Sequence, residues 1–561
     1  MGLRFHAKYC FLFGGALVFG GFFFSAITVF YSQDYGSISG ASPEDKGQRL
    51  RIRDSINRRV VESKYDTNRE LPTNASGESI NEYRRDFIKK MMLFAWSNYR
   101  TYAWGENELR PISKIGHSAS VFGRASIGAT IVDATDTLHI MGLMEEFNDA
   151  REWIAQSLDM KQVQTDLSVF ETNIRYVGGL LSAYALSSDQ VFLEKAKYVA
   201  DLLLPAFNTP TGIPLALVNT RTGRAINYGW ASGGCSILSE YGSLELEFTY
   251  LSKLTGNSTY REKASKVREV LAQLEKPDGL YPNYINPRTG KFCLKHVSVG
   301  ALGDSFYEYL IKLWLFTNKT DSQLKSTYDD AMTAIERNLL QKSVPNQLSY
   351  FAELKGSRME HKMDHLACFI AGMFALQSKH ETDPKRQRHY LELAEQIANT
   401  CHESYIRSDV GIGPESMRFS SKLEAATNRE SEMYYILRPE VIEGWFVLYR
   451  ITGKQKYREW CWAAAQAIET YCKVSAGYSG IRSVYPNSRD VAHDDVQQSF
   501  FLAETLKYLY LVFASPDVIS LDSWIFNTEA HPFPIQSIPA VKSEAKLPPQ
   551  EVPMDANAVQ R

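Results

Sequence analysis

The stretch LEFTYLSKLTGNSTYREKASKVREVL (246–271) reads as two helices joined by a turn. Apolar residues recur at helical spacing on both sides of a Thr-Gly-Asn break. The same two-part unit returns at WFVLYRITGKQKYREWCWAAAQAI (445–468). Its first half also recurs at TLHIMGLMEEF (137–147), LLSAYALSSD (180–189), YEYLIKLWLFTN (307–318), FIAGMFALQSK (369–379) and LKYLYLVFASPD (506–517). The distance between starts holds two helices and two loops, so each unit is a helical hairpin. Seven hairpins predict an all-α chain, either an α/α solenoid or a closed α/α toroid. Periodicity alone leaves closure open.

Outside this repeat the chain changes character. Residues 9–31, YCFLFGGALVFGGFFFSAITVFY, carry no charge and are long enough to cross a bilayer. Arg4 and Lys8 precede them, and the run lacks the short apolar region and small-residue cut site of a cleaved signal. The expectation is a retained type II signal anchor with the body in a lumen. The division is then a cytoplasmic tail (1–8), a transmembrane helix (9–31), a polar stem (32–84), the helical body (85–535) and a disordered, proline-containing tail (536–561). Asn74, Asn257 and Asn318 head glycosylation triplets, which suit a luminal body. With 62 Lys and Arg against 64 Asp and Glu, the chain lacks the basic excess of a nucleic-acid binder. Seven Cys in 561 residues exclude a disulfide-stapled mini-scaffold.

Acidic residues recur near the starts of the first helices. Ser168 and Glu171 have capping-box spacing, as do Ser305 and Glu308 next to Asp304. Glu171 and Arg175 share a helix face. Pro439 suits a first helical position, with Glu440 and Glu443 in the turn that follows. Glu504 lies about a turn and a half into its helix, and Glu240 stands just before another. Any one of these could simply cap a helix and complement its dipole. Their recurrence at one hairpin position is different, because in a ring they would converge at one end. Aromatic neighbours such as Phe170, Phe306 and Phe500, with Arg175, Arg438 and His365, would make a polyol pocket capable of acid/base chemistry. A metal held among oxygens there would be a hard cation such as calcium. Paired carboxylates beside aromatics are the equipment of glycoside hydrolysis, where a separation of roughly 6.5–9.5 Å gives inversion and roughly 5–5.5 Å retention.

The quoted residues resemble the class I α-1,2-mannosidases, glycoside hydrolase family 47. The likeness runs from about residue 84 to 535 through FGRASIGATIVDATDTLHIMGLMEEF (122–147), SVFETNIRYVGGLLSAY (168–184), LEFTYLSKLTG (246–256), GDSFYEYLIK (303–312), KMDHLACFIAGM (362–373), LRPEVIE (437–443), SFFLAETLKYLYLVF (499–513) and FNTEAHPF (526–533). The resemblance implies an (α/α)7 barrel and an inverting exo-hydrolase that trims α-1,2-linked mannose from high-mannose N-glycans. It implies Glu171 as general acid acting through a water, Glu440 as general base and Asp304 as a third essential acid. One calcium would bind Thr528 through hydroxyl and carbonyl oxygens, with Glu240, Glu443, Glu504 and Glu529 as the acidic surround. Arg175, His365, Arg438 and Phe500 would line the sugar pocket, and Cys368 and Cys401 would form the family disulfide. The pairing of Cys235, Cys293, Cys461 and Cys472 stays open.

Leu302, two residues before Asp304, bears on subfamily. The endoplasmic reticulum enzymes tend to carry Arg there, so Leu resembles the Golgi type, with fewer donors in the groove and several branches accepted. The expectation is therefore a Golgi membrane enzyme acting on glycoproteins. Two rivals compete with it: a lectin-like relative that binds glycans without turnover, and an α-solenoid protein scaffold.

Overall fold

The computed structural model describes residues 77–535 apart from Arg124 and residues 487–490. The proposed anchor (9–31), Asn74, most of the stem and the tail from 536 lie outside the described residues. Among the described residues no helix is long and apolar enough to cross a membrane.

Fourteen helices make the ring. They are α1 (Gly77–Ala103), α2 (Ala129–Ile140), α3 (Met144–Ser157), α4 (Gly178–Ser187), α5 (Gln190–Leu203), α6 (Glu245–Thr255) and α7 (Thr259–Gln273). The second half holds α8 (Asp304–Phe316), α9 (Ser322–Leu339), α10 (Ile370–His380), α11 (Pro384–Ile406), α12 (Glu440–Thr452), α13 (Lys456–Tyr471) and α14 (Leu506–Phe513). The seven that the repeat marks (α2, α4, α6, α8, α10, α12, α14) form the inner wall, each against the next, and the turn before α14 closes onto α2. In α8 every residue after Asp304 is buried. The outer helices are amphipathic: α7 buries Tyr260, Ala264, Val267 and Leu271, one stripe at helical spacing.

Closure has a cause outside the local pattern. The seventh inner helix has no outer helix after it, and α1, from the other end of the body, packs there instead. The bidentate pair of Arg84 with Glu459 at 2.8 and 2.7 Å fastens α1 to α13. The first turns of α1 thus occupy Gly77–Arg84, inside the stretch read as stem.

The loops that lead into the inner helices are not plain coil. They carry small two- and three-stranded antiparallel sheets. The last of these is a hairpin of β1 (Trp524–Phe526) and β2 (Pro532–Pro534). It plugs the ring. Phe526 meets Phe446 of α12 and Tyr508 of α14, and Phe533 meets Tyr250 of α6. At Gly178 a Cβ would come within 2.5 Å of the Asn527 amide, so the hairpin tip approaches α4 only because that side chain is missing.

Two disulfides form among the described residues. Cys368–Cys401 ties the entry of α10 to α11, and Cys235–Cys293, unread from sequence, ties two site-side loops. Cys461 and Cys472 are buried free thiols. Asn257 and Asn318 are exposed beyond the C-terminal ends of α6 and α8, the end of the ring away from the acids.

Candidate active site

The acids gather at the N-terminal ends of the inner helices. Ser168 Oγ accepts the Glu171 N–H at 3.2 Å, as the spacing predicts. A π-helical turn, Thr172–Val177, follows and carries Arg175. Its guanidinium donates to Glu171 at 2.8 Å, to Asp133 and Ser499 at 3.3 Å each, and to Glu529. Its flat face lies 5.8 Å from the Phe122 ring centroid and 5.7 Å from that of Phe500.

Across the cavity, Glu440 opens α12. His365 Nδ1 donates to it at 2.8 Å, while the other ring nitrogen meets the Tyr405 hydroxyl at 2.9 Å. Arg438 lies 3.7 Å from Glu440 and is itself gripped by Glu415 at 2.6 and 2.8 Å. Burial alone would raise the Glu440 pKa. The His365 hydrogen bond and the Arg438 charge outweigh it and hold the carboxyl below its ordinary range. Asp304 has the opposite setting. Burial, then the negative charges of Glu308, Glu440 and Asp364, push it up to about 8, against one hydrogen bond from the Ser305 N–H at 2.9 Å. One wall therefore holds an anion at neutral pH and a protonated acid close to it, the division of roles that acid/base hydrolysis needs.

The floor is more acidic still. Burial and neighbouring carboxylates push Glu443 and Glu529 up to about 8 and Glu504 well above its usual value. Glu240 rises for the same reasons, burial first and then Glu171. Through these neighbours Glu171, Glu240, Asp304, Glu440, Glu443, Glu504 and Glu529 form one electrostatically linked cluster. Thr528 sits at the hairpin tip, half-buried. Its N–H lies 3.4 Å from the Tyr309 hydroxyl, and among the described residues its own hydroxyl and carbonyl have no hydrogen-bond partner. Among the described residues no three His, Cys, Asp or Glu side chains are arranged to ligate a metal directly. The oxygen donors of Thr528 and the acidic floor fit a hard cation and do not fit a thiolate-seeking one.

His365 is fully buried with both nitrogens engaged, one of them on Glu440. One expectation needs correction. Ser305 does not cap α8. Gly303 is the cap residue, Asp304 begins the helix, and the Ser305 hydroxyl bonds Ser243 and the Ser239 carbonyl instead.

The structure also supplies residues that the motifs did not mark. Asp136 lies between Lys507 at 2.9 Å and His531 Nδ1 at 2.8 Å, all three fully buried. Burial opposes its ionisation, but those two cations hold it at about 2. Glu247 accepts from Tyr309 at 2.6 Å, Asn173 at 2.9 Å and Asn527 at 2.8 Å, which pins the plug to α6 and α8. Lys312 pairs with Glu308 and lies 3.9 Å from Glu443. The available signal was a charge inside an otherwise apolar helix, as in IVDATDTL, YEYLIKLWLF and LKYLYLVF.

Comparison with known proteins gives a consistent result. A profile for Glycosyl hydrolase family 47 matches residues 91–535. The mannosyl-oligosaccharide alpha-1,2-mannosidase IA of Drosophila melanogaster is 55% identical over 466 residues, covering 83% of this chain and 69% of that protein. The human mannosyl-oligosaccharide 1,2-alpha-mannosidase IB is 55% identical over 452 residues, 81% of this chain and 70% of that one. Among solved structures, the alpha-1,2-mannosidase from Trichoderma reesei superposes with a TM-score of 0.74 at 29% identity, covering 81% of this chain and 99% of its own.

Proposed function

The chain belongs to glycosyl hydrolase family 47, and from that premise we propose that it is a mannosyl-oligosaccharide 1,2-α-mannosidase. Its substrates in this reading are high-mannose N-glycans on glycoproteins, trimmed from the non-reducing end with inversion. The observation that carries it is the cluster of acids at the N-terminal ends of the inner helices, with Glu440 bound by His365 Nδ1 at 2.8 Å and 3.7 Å from Arg438.

Glu440 accepts a proton from the attacking water, and His365 and Arg438 keep it ionised to do so. The leaving oxygen takes its proton from the Glu171 side, where Arg175 Nε orients the carboxylate. Asp304 keeps its own proton at neutral pH and donates it to a hydrogen bond on the reacting sugar. The aromatic face of Phe500, braced by Arg175, excludes water from one side of the pocket. Thr528 would hold a calcium ion, with Glu443, Glu504 and Glu529 reaching it through water; when bound, that ion orients the sugar hydroxyls and neutralises the acidic floor.

Residues 9–31 anchor the body in the Golgi lumen in this reading, and Leu302 leaves the groove open to several branches. Digestion of a nine-mannose glycan tests it. The expected result is release of free mannose as the inverted anomer through several eight-mannose isomers toward the five-mannose form, abolished by Glu440→Gln with the fold intact. Accumulation of one eight-mannose isomer would remove the Golgi-type assignment, and retained configuration the inverting one.

A further inference from the structure

The loop Tyr228–Ser236 (YGWASGGCS) leads straight into the short helix Leu238–Gly242 that carries Glu240. Its two rings stack, with Tyr228 and Trp230 centroids 5.1 Å apart and 23° between planes. The Tyr228 hydroxyl lies against Glu240 and against Ser168, the cap of the turn that presents Glu171. Hydrogen bonds hold its C-terminal part, from the Asn227 amide to the Gly234 carbonyl at 2.8 Å and from the Ser236 hydroxyl to the Pro214 carbonyl at 2.7 Å. Gly233 and Gly234 offer no side chains to pack, and the strand pairing that follows is two residues long, Ser236–Ile237 against Tyr284–Ile285.

The Cys235–Cys293 bond adds a covalent anchor to these. Cys293 donates its N–H to Tyr284 O at 3.0 Å, on the segment that runs on to Leu302 and Asp304. The Leu302 carbonyl accepts the Ser239 N–H at 3.0 Å. Tyr228, Trp230, Cys235, Tyr284, Cys293 and Leu302 form an apolar cluster separate from the main core. The bond thus joins the aromatic loop to the segment delivering Asp304, across the whole α6–α7 hairpin.

Resting on the mannosidase reading, we propose that the Cys235–Cys293 disulfide is a positioning element for glycan capture: it holds the Tyr228–Trp230 wall against Glu240, so its cleavage weakens oligosaccharide binding and spares bond hydrolysis. The two disulfides are separable in solution. Cys368 and Cys401 are each 1% exposed, whereas Cys293 is partly exposed. A thiolate of an external dithiol attacks the Cys293 sulfur and forms a mixed disulfide, and Cys235 leaves as a thiolate that takes a proton. The second thiol of the reagent closes a cyclic disulfide and frees Cys293, so two electrons pass from reagent to protein.

The test is steady-state release of mannose from a nine-mannose glycan by the folded protein before and after mild dithiol treatment. Thiol labelling and mass spectrometry verify that Cys235 and Cys293 are modified while Cys368 and Cys401 are not. Loss of the preorganised wall should raise KM about tenfold with kcat unchanged, and reoxidation should restore it. The double variant C235S/C293S should match the reduced form, and if it fails to fold, the reversible reduction gives the same readout. An unchanged KM after verified cleavage, or a fall in kcat at constant KM, overturns the proposal. Absence of mannose release from the oxidised protein would instead overturn the mannosidase reading itself.

Discussion

Replacing His365 by Leu tests the electrostatics of the proposed base more directly than removing the base itself. The imidazole is fully buried and its Nδ1 donates to Glu440 at 2.8 Å. A hydrogen bond to a charged group contributes about 1.5–3 kcal/mol. At about 1.4 kcal/mol per pK unit, its loss should raise the Glu440 pKa by about 1–2 units. Arg438, still 3.7 Å away, keeps the shift from growing further. The acid limb of kcat/KM should move up by that amount, measured as mannose release from about pH 4 to 8. Below the limb the variant should be about 10–100-fold slower, and above it the two proteins should converge. Stability follows the same sign. A carboxyl with a lowered folded pKa stabilises above its unfolded pKa, and that contribution is lost as pH falls through the folded value. His365→Leu should therefore lose most Tm near neutrality and least in acid. His365→Asn, which retains a donor, should recover part of the shift. A uniform fall in kcat/KM at every pH, with the limb unmoved, would refute the reasoning and leave His365 a packing residue.

Chelation should lower Tm, and by more near pH 8 than in acid. Burial and neighbouring carboxylates push Asp304, Glu443 and Glu529 up to about 8, so the stability they give is full in acid and is lost as pH rises through that value. Calcium at a hundredfold excess over its Kd should restore about 2.7 kcal/mol, and an indifferent melting curve would remove the cation from the floor. Arg175→Lys puts one ammonium where a guanidinium serves Glu171, Asp133 and Glu529. Breaking such buried pairs costs about 3–5 kcal/mol, read by denaturant unfolding, and mannose release should fall with it. Cys368→Ser with Cys401→Ser opens a link of sequence separation 33 and should cost about 3–4 kcal/mol in the same assay.

The inner helices were legible because apolar residues recur at helical spacing in each of them. Ring closure was not, because the outer helix of the seventh unit, α1, comes from the opposite end of the body. The convergence of acids at one end was readable from their recurring hairpin position. Which of them is ionised was not, since Glu440 and Asp304 differ only through His365 and Arg438 on one side and Glu308 and Asp364 on the other. Spacing misplaced the Ser305 cap because the helix is capped two residues earlier, at Gly303. Cys235 and Cys293 flank an entire helical hairpin, so nothing local couples them. Asp136 and Lys507 lie far apart in sequence, and only the closed ring shows that they neutralise each other.

The site is held in an arrangement that its own chemistry resists. Like charges crowd Glu443, Glu504 and Glu529 under burial that raises each of them. The backbone beside the key groups is strained as well. Leu302, Leu437 and Ala530 adopt φ of +78, +69 and +59, and they adjoin Asp304, Arg438 and Glu529. Such conformations cost about 1–3 kcal/mol apiece and persist only where surrounding packing over-determines them. Here each is fixed from outside: Leu302 by the Ser239 N–H, Leu437 by the Thr505 hydroxyl at 2.7 Å, and Ala530 by Lys507 at 2.6 Å. The π-helical turns Thr172–Val177 and Phe501–Thr505 do the same for Arg175 and Glu504, widening the helix where the side chain must face inward. The π turns and the clustered acids fall at the N-terminal ends of the inner helices, while the opposite ends stop in exposed turns at Asn257 and Asn318. That asymmetry of charge is what favours a catalytic ring over a scaffold, for a scaffold has no reason to bury interacting carboxylates at one end.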